Sequence, residues 1–228
     1  MNLYQRLLTE TEQEKAYLLD APIIKHCFSG EIVIDDYVAF LTQAFHHVKH
    51  TVPLLMAAGA KFPQNKEWLR EAVAEYIAEE IGHQEWILND IAACGFDKES
   101  ARQSTPAFAT ELMVAYAYDL INRVNPLAFF GMVHVLEGTS IVVADSAAQS
   151  IGQALALPDD AFSYLRSHGA LDQDHVKFFQ ELMAKVTDQE EQDIIVASAK
   201  RFYKLYGDIF RTLHRDHQVA RLGDINEK

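Results

Sequence analysis

Residues 125–145 read NPLAFFGMVHVLEGTSIVVAD. Asn125 suits an N-cap and Pro126 suits the first helical position, since its missing N–H is an orphan donor there anyway. The apolar residues that follow surround the helix axis instead of marking one stripe, so this helix belongs at the centre of a bundle, running to about Leu155. Inside it stands Glu137, the only acid between Pro126 and Val143. The continuously apolar part, Pro126 to Leu136, is too short to cross a bilayer and is interrupted by His134.

The rest of the chain reads as amphipathic helices around this one, with no sustained strand-like alternation. A first helix is expected over Leu3 to Leu19 and a broken stretch from Ala21 to Ile34, where Pro22, Ser29 and Gly30 punctuate. A second runs from an N-cap near Asp35 to about Ala60, bent by Pro53. A third covers about Lys66 to Cys94 and stops at Gly95, a suitable C′ glycine. A fourth starts near Thr105-Pro106 and ends near Val124. The central helix is the fifth; Pro158-Asp159-Asp160 starts a sixth through Val186, and Asp188 a seventh to His214 or beyond. Connections are short and no linker or repeat is evident. The expectation is a single all-α domain over residues 1–228 with about seven helices and a frayed tail from about 221.

Composition excludes several classes. The chain has 228 residues, 49% of them hydrophobic, which is too many for a disordered polypeptide. Lysine and arginine number 20 against 33 aspartates and glutamates, a net charge of −13 that does not suit a phosphate backbone. Two cysteines cannot make a disulfide framework, and the N-terminus lacks a signal-peptide core. A cytoplasmic protein with no nucleic-acid or membrane partner is expected.

Ionisable residues on faces that should be buried carry the chemistry, because a buried charge needs a partner or a metal. On the third helix, with His83 at 0°, Tyr76 falls at about +20°, Leu69 and Ile87 at about +40°, Glu80 at about +60°, and Val73 and Ile91 at about +80°. Glu80 and His83 thus form an E-x-x-H pair on the apolar face, while Glu79, at about −40°, is nearer its edge. The competing reading is a solvated polar run over residues 79–85. Glu137 has no evident route to solvent; a buried hydrogen bond to His134 competes with a metal there. On the sixth helix His168, Asp172 and His175 lie within about 60° of one another, as ligands or as an exposed polar stripe. Three carboxylates and three imidazoles from three helices match what helical bundles use for paired iron or manganese ions, with positions left open. His46 and His50 are a weaker pair, and His214 and His217 read as surface residues.

The order E-x-x-H, a lone buried Glu, then H-x-x-x-D-x-x-H resembles the heme-oxygenase-like diiron oxidases, which include relatives of UndA and the CADD-like proteins. The segment PIIKHCFSGEIVIDDYVAFLTQAFHHVKHT, residues 22–51, resembles the opening of the wider TenA/PqqC superfamily. The likeness covers about Ala21 to Leu213 and implies a heme-oxygenase-like (TenA-like) bundle. It also implies two irons per chain, with manganese as the other metal such ligands accept, and O2 activation toward a small organic substrate. Carried over by position, His83, Glu137, His168, Asp172 and His175 match the family's ligands, with Glu137 bridging. The first carboxylate stays open between Glu80, Glu79 and the position held by Tyr76. Tyr76 and Tyr118 are expected beside the cofactor, in a pocket also lined by Phe40, Phe45, Phe129 and Phe130. A homodimer is expected from the superfamily.

Relatives with other chemistry fit less well. The thiamin-salvage hydrolases of TenA type use a cysteine from a middle helix, whereas Cys27 and Cys94 are the only cysteines here. His26 could take the place of a heme-binding histidine, but no glycine-rich segment is available to lie over a heme. A metal-free small-molecule-binding or regulatory protein of TenA/PqqC type is the alternative.

Overall fold

The computed structural model describes residues 1–213, without the side chains of residues 168–175. Among the described residues every regular element is helical, as the periodicity requires. There are twelve α-helices where seven were expected: α1 (Leu3–Glu10), α2 (Glu12–Leu19), α3 (Pro22–Ser29), α4 (Ile34–Val48), α5 (Thr51–Lys61), α6 (Glu67–Glu80), α7 (His83–Ala93), α8 (Lys98–Gln103), α9 (Phe108–Asp119), α10 (Phe129–Leu155), α11 (Ser163–Ala184) and α12 (Gln189–Thr212).

The difference comes mostly from breaks inside the expected helices. The first divides at Thr11, whose hydroxyl donates to the carbonyl of Leu7. The second starts at Ile34, with Asp35 and Asp36 in its first turn and not at its cap. It divides at Lys49-His50, ahead of Pro53. Proline lacks an N–H and its ring collides with the carbonyl four residues earlier, so the ladder ends before it. The third divides at Ile81-Gly82, where Ile81 is extended and Gly82 has φ +96°. That conformation suits glycine, which has no Cβ to collide with the backbone. The segments Pro22–Ser29 and Lys98–Gln103 supply two further short helices.

Several starts and stops are as expected. Asn125 accepts a hydrogen bond from the Leu127 N–H ahead of α10, Asp188 accepts one from Glu191 N–H at the start of α12, and Gly95 ends α7 with φ +84°.

Helix α10 packs against α11, α12 and α3. Its residues 129–135 are buried on every side, which is the central position its composition implies. Farther along, one side reaches solvent, and Ile141 and Val142 are exposed. Pro126–Leu155 is long and apolar enough to cross a membrane by length and composition, and its burial marks it as the core helix of this bundle.

Two contacts set the positions of the elements. At Gly131 a Cβ atom would stand 2.6 Å from the backbone N of Ala199 and 2.8 Å from the carbonyl O of Ile195, so α10 and α12 touch almost backbone to backbone. The Ser198 hydroxyl donates to the carbonyl of Ala128 beside this crossing, at 2.6 Å. The second contact joins α7 to α11. Asp90, fully buried, accepts from the N–H groups of Ser163 (3.1 Å) and Tyr164 (2.9 Å) and from the Ser163 hydroxyl. These are orphan donors at a helix start, and a carboxylate there also meets the positive end of the helix dipole. Burial nonetheless holds the Asp90 carboxyl above its usual pKa, with the three hydrogen bonds opposing it.

A Gly131→Ala change is expected to destabilise the protein by about 1–3 kcal/mol in urea unfolding, because backbone atoms cannot move aside as a side chain can. Gly138→Ala is the control: the nearest atom to its Cβ is the Tyr203 hydroxyl at 3.9 Å. That change is expected to be neutral or to stabilise by up to about 1 kcal/mol, since alanine is the better helix former.

Candidate functional site

An apolar cavity of about 160 Å³ lies between α3, α4, α5, α6, α10, α11 and α12. Most of its walls are aliphatic and aromatic. The charged side chains among them are Glu80 and Glu137, from two helices, with Tyr76 one turn before Glu80.

The break at Ile81-Gly82 shapes the first part of this cluster. Glu80 is the last residue of α6 and His83 the first of α7, so the E-x-x-H pair straddles two helices and not one continuous helix. The pair still converges: His83 Nδ1 lies 3.1 Å from Glu80 Oε2, with both side chains largely buried. The His83 ring stacks on Trp86 at 4.1 Å between centroids. Leu69, Val73, Tyr76, Ile87 and Ile91 are buried alongside, as the helical projection requires.

Tyr76 joins this pair to α10. Its hydroxyl is held well above the usual phenol range, first by burial and then by the negative charges of Glu137, Glu79 and Glu80. Of these carboxylates Glu137 has the largest effect. A neutral phenol therefore stands close to the Glu137 carboxylate. The ring of Tyr76 also meets Phe178 of α11 edge-on, at 5.3 Å.

Other expected residues are placed differently. Phe40 and Phe129 line the cavity, but Phe45, Phe130 and Tyr118 do not. Phe130 is core, stacked on Phe62, and Tyr118 sits 3.2 Å from His50 Nδ1 through its hydroxyl. That contact joins α9 to the turn between α4 and α5. His134 turns from Glu137 toward Tyr4, Phe179 and Tyr203, whose rings surround it. His46 is engaged at both nitrogens, 2.8 Å from Ser104 Oγ and 3.1 Å from Lys49 Nζ. The ammonium can only donate, so the Nδ1 lone pair that a metal would need is taken. His26 is absent from the cavity wall, whereas its neighbour Cys27 lines it.

His168, Asp172 and His175 lie outside the described residues, as do His214 and His217. Among the described residues, no three histidine, cysteine, aspartate or glutamate side chains are arranged to hold a metal ion by themselves. One wall residue, His47, escapes the sequence reading. It is buried, lines the cavity and meets Tyr206 edge-on at 5.7 Å. The signal was its spacing: seven residues after Phe40, it repeats the same helical face two turns on.

A family model described as iron-containing redox enzyme matches residues 38–207. No curated protein matches the chain. A structure of a domain of unknown function with a heme-oxygenase-like fold, from Shewanella denitrificans, is 25% identical, with a TM-score of 0.82 over 95% of this chain and 92% of that one. A TenA homolog from Pseudomonas syringae is 12% identical, with a TM-score of 0.80 over 94% and 93%. A heme oxygenase from the cyanobacterium Synechocystis, in complex with heme, is 13% identical, with a TM-score of 0.74 over 100% and 95%. The last two establish the fold alone.

Two buried imidazoles set a pH dependence. Burial, with the charge of Lys15 behind it, depresses His134 to about 4, and burial with Lys49 and His50 depresses His46 to about 4. Each takes up its proton more readily in the unfolded chain, so stability falls as pH drops from the unfolded value near 6.5 toward 4. His134→Phe, which keeps an aromatic ring among its aromatic neighbours, is expected to flatten that fall. Urea unfolding at pH 7, 6 and 5 measures it, and an unchanged slope would contradict the assignment.

Proposed function

The chain belongs to the family of iron-containing redox enzymes, within the heme-oxygenase-like fold, and on that premise we propose that it is an O2-dependent oxidoreductase holding two non-heme irons, or manganese in their place, beside a small-molecule cavity. The observation that carries the reading is the convergence of Glu80, Glu137 and Tyr76 at one wall of an apolar cavity, with His83 of a third helix paired to Glu80.

The donor set fits such a metal. Carboxylate oxygens and imidazole nitrogens are the ligands that iron and manganese accept from helical bundles. Further donors come from α11, which packs against both α7 and α10. Its described residues Tyr164, Leu165, Phe179, Leu182 and Met183 are buried. The positions 168, 172 and 175 share that stripe by helical period, which supports them as the remaining ligands. When bound, the irons supply the electrons that activate O2.

The chain's own residues have separable tasks. Glu80 and Glu137 provide negative charge where a dication needs it, and His83 fixes direction through its ring, which Trp86 holds by stacking. Tyr76 keeps its proton on the hydroxyl oxygen and offers a donor beside the Glu137 carboxylate. The apolar wall keeps bulk water from the reacting end of the substrate. Asp90, by tying α7 to α11, keeps the elements that carry the proposed ligands at a constant separation.

A second reading has its own support: Glu80 with His83, and Tyr76 with Glu137, already make polar pairs inside the cavity wall. In that case the protein binds a small molecule without metal, as a TenA/PqqC-like binding or regulatory protein. Anaerobic loading with Fe²⁺, followed by metal analysis, separates the two. Two irons per chain and an absorption change on mixing with O2 are expected; uptake below one iron per chain overturns the oxidase reading.

Bound metal should also raise the melting temperature, because it binds the folded state selectively. His175→Ala is expected to abolish that rise. Its persistence would mean that α11 supplies different ligands.

A further inference from the structure

The cavity extends well beyond the acidic cluster. Its α10 wall runs from Phe129 to Ile151, about 33 Å of helix at 1.5 Å per residue. Glu137 interrupts this wall, and about 21 Å of helix separates it from Ile151. Over that stretch the wall begins with Thr139 and Ser140 and continues with Val143, Ala144, Ala147 and Ile151. The small side chains of Ala144 and Ala147 leave room where a leucine would fill it. Across from them stand Ile23, Ile24 and Cys27 of α3, with the Cys27 thiol donating toward the Ala147 carbonyl at 4.0 Å. That thiol is pushed up to about 11 by burial, so it stays neutral at physiological pH.

Charge decides the class of occupant. None of the described wall residues is a lysine or an arginine, and the charged side chains among them are Glu80 and Glu137. Away from a metal held at Glu80 and Glu137, a carboxylate or phosphate seated along the α10 wall would leave water for described side chains that offer it no cationic partner, a costly transfer. Beside the Cys27 thiol, the polar groups that remain are hydroxyls and one imidazole, from Tyr37, Thr51, Tyr76, Thr139, Ser140, Tyr164, Tyr206 and His47. They suit hydrogen bonds to a neutral oxygen or nitrogen. A volume of about 160 Å³ is close to that of an apolar cavity which admits benzene, here drawn out along a helix.

We infer that the cavity takes an uncharged, elongated apolar molecule with a body of about eight heavy atoms, lying along α10 with its reacting end beside Glu80 and Glu137. The placement of the reacting end rests on the metal reading above, whereas binding of the apolar body does not depend on it.

Calorimetric titration tests this with 1-butanol through 1-nonanol, and with octanoate as the charged match to 1-octanol. Both metal-free and Mn²⁺-loaded protein are used. Affinity is expected to rise about fourfold per methylene, the equivalent of about 0.8 kcal/mol, until the cavity is full. Octanoate is expected to bind at least tenfold more weakly than 1-octanol in the metal-free form, where the described wall holds no cation, and a smaller difference there overturns the inference.

Ala147→Phe and Ala144→Leu locate the site, each checked by thermal unfolding. At least one folded variant is expected to lose tenfold in octanol affinity with its Mn²⁺ stoichiometry unchanged. Parental octanol affinity in both overturns the placement. Mn²⁺ binding without octanol binding defeats this inference alone. Octanol binding without Mn²⁺ binding defeats the metal reading and leaves the apolar site standing.

Discussion

Helix α10 can occupy the centre of the molecule because Gly131 lets its backbone meet that of α12. Any side chain there would have to share space with the backbone N of Ala199 and the carbonyl O of Ile195. Interiors are too closely packed to absorb such an overlap locally, so the separation of the two helices would change along their whole contact. Everything that matters for the site hangs from that separation. Glu137 and the long apolar wall belong to α10, and Tyr206 and Phe210 on the facing wall belong to α12. One small residue therefore sets the width of the cavity as well as the packing of the core.

A second device controls the other side of the site. Helix α7 begins at His83, immediately after a left-handed glycine, and farther along it carries Asp90, which caps the start of α11. The chain thus turns at Gly82 without moving His83 from Glu80, and it fixes α7 against α11 through buried charge-assisted hydrogen bonds. Burial of Asp90 is costly on its own, as its raised pKa records, and the three donors it accepts offset part of that cost. The proposed metal ligands come from α6, α7, α10 and α11, so a rigid joint between α7 and α11 has direct consequences for any ion they hold.

Local signals in the chain were readable where they depend on a few neighbouring residues. The capping Asn125 and Asp188, the stop at Gly95 and the all-apolar first turns of α10 are of this kind. Helix breaks at Thr11, Lys49-His50 and Ile81-Gly82 were not, because the period of the apolar residues continues through each of them. A break that preserves the facing of the core residues leaves almost no trace in a periodicity. For the same reason Glu80 and His83 were correctly paired although they do not share a helix.

Periodicity can say that a residue faces inward, since that follows from 3.6 residues per turn and the aversion of apolar surface to water. On that basis the sequence alone determined an all-helical bundle around residues 126–155, and it set Tyr76, Glu80, His83 and Glu137 toward the interior. It could not say whether an inward residue meets another side chain or an open space. Phe40 and Phe129 line the cavity while Phe45, Phe130 and Tyr118 do not, and His47 faces it where His46 and His50 are bound up with Ser104, Lys49 and Tyr118. Only the tertiary structure decides that, because a cavity is the volume that residues distant in the chain leave unfilled.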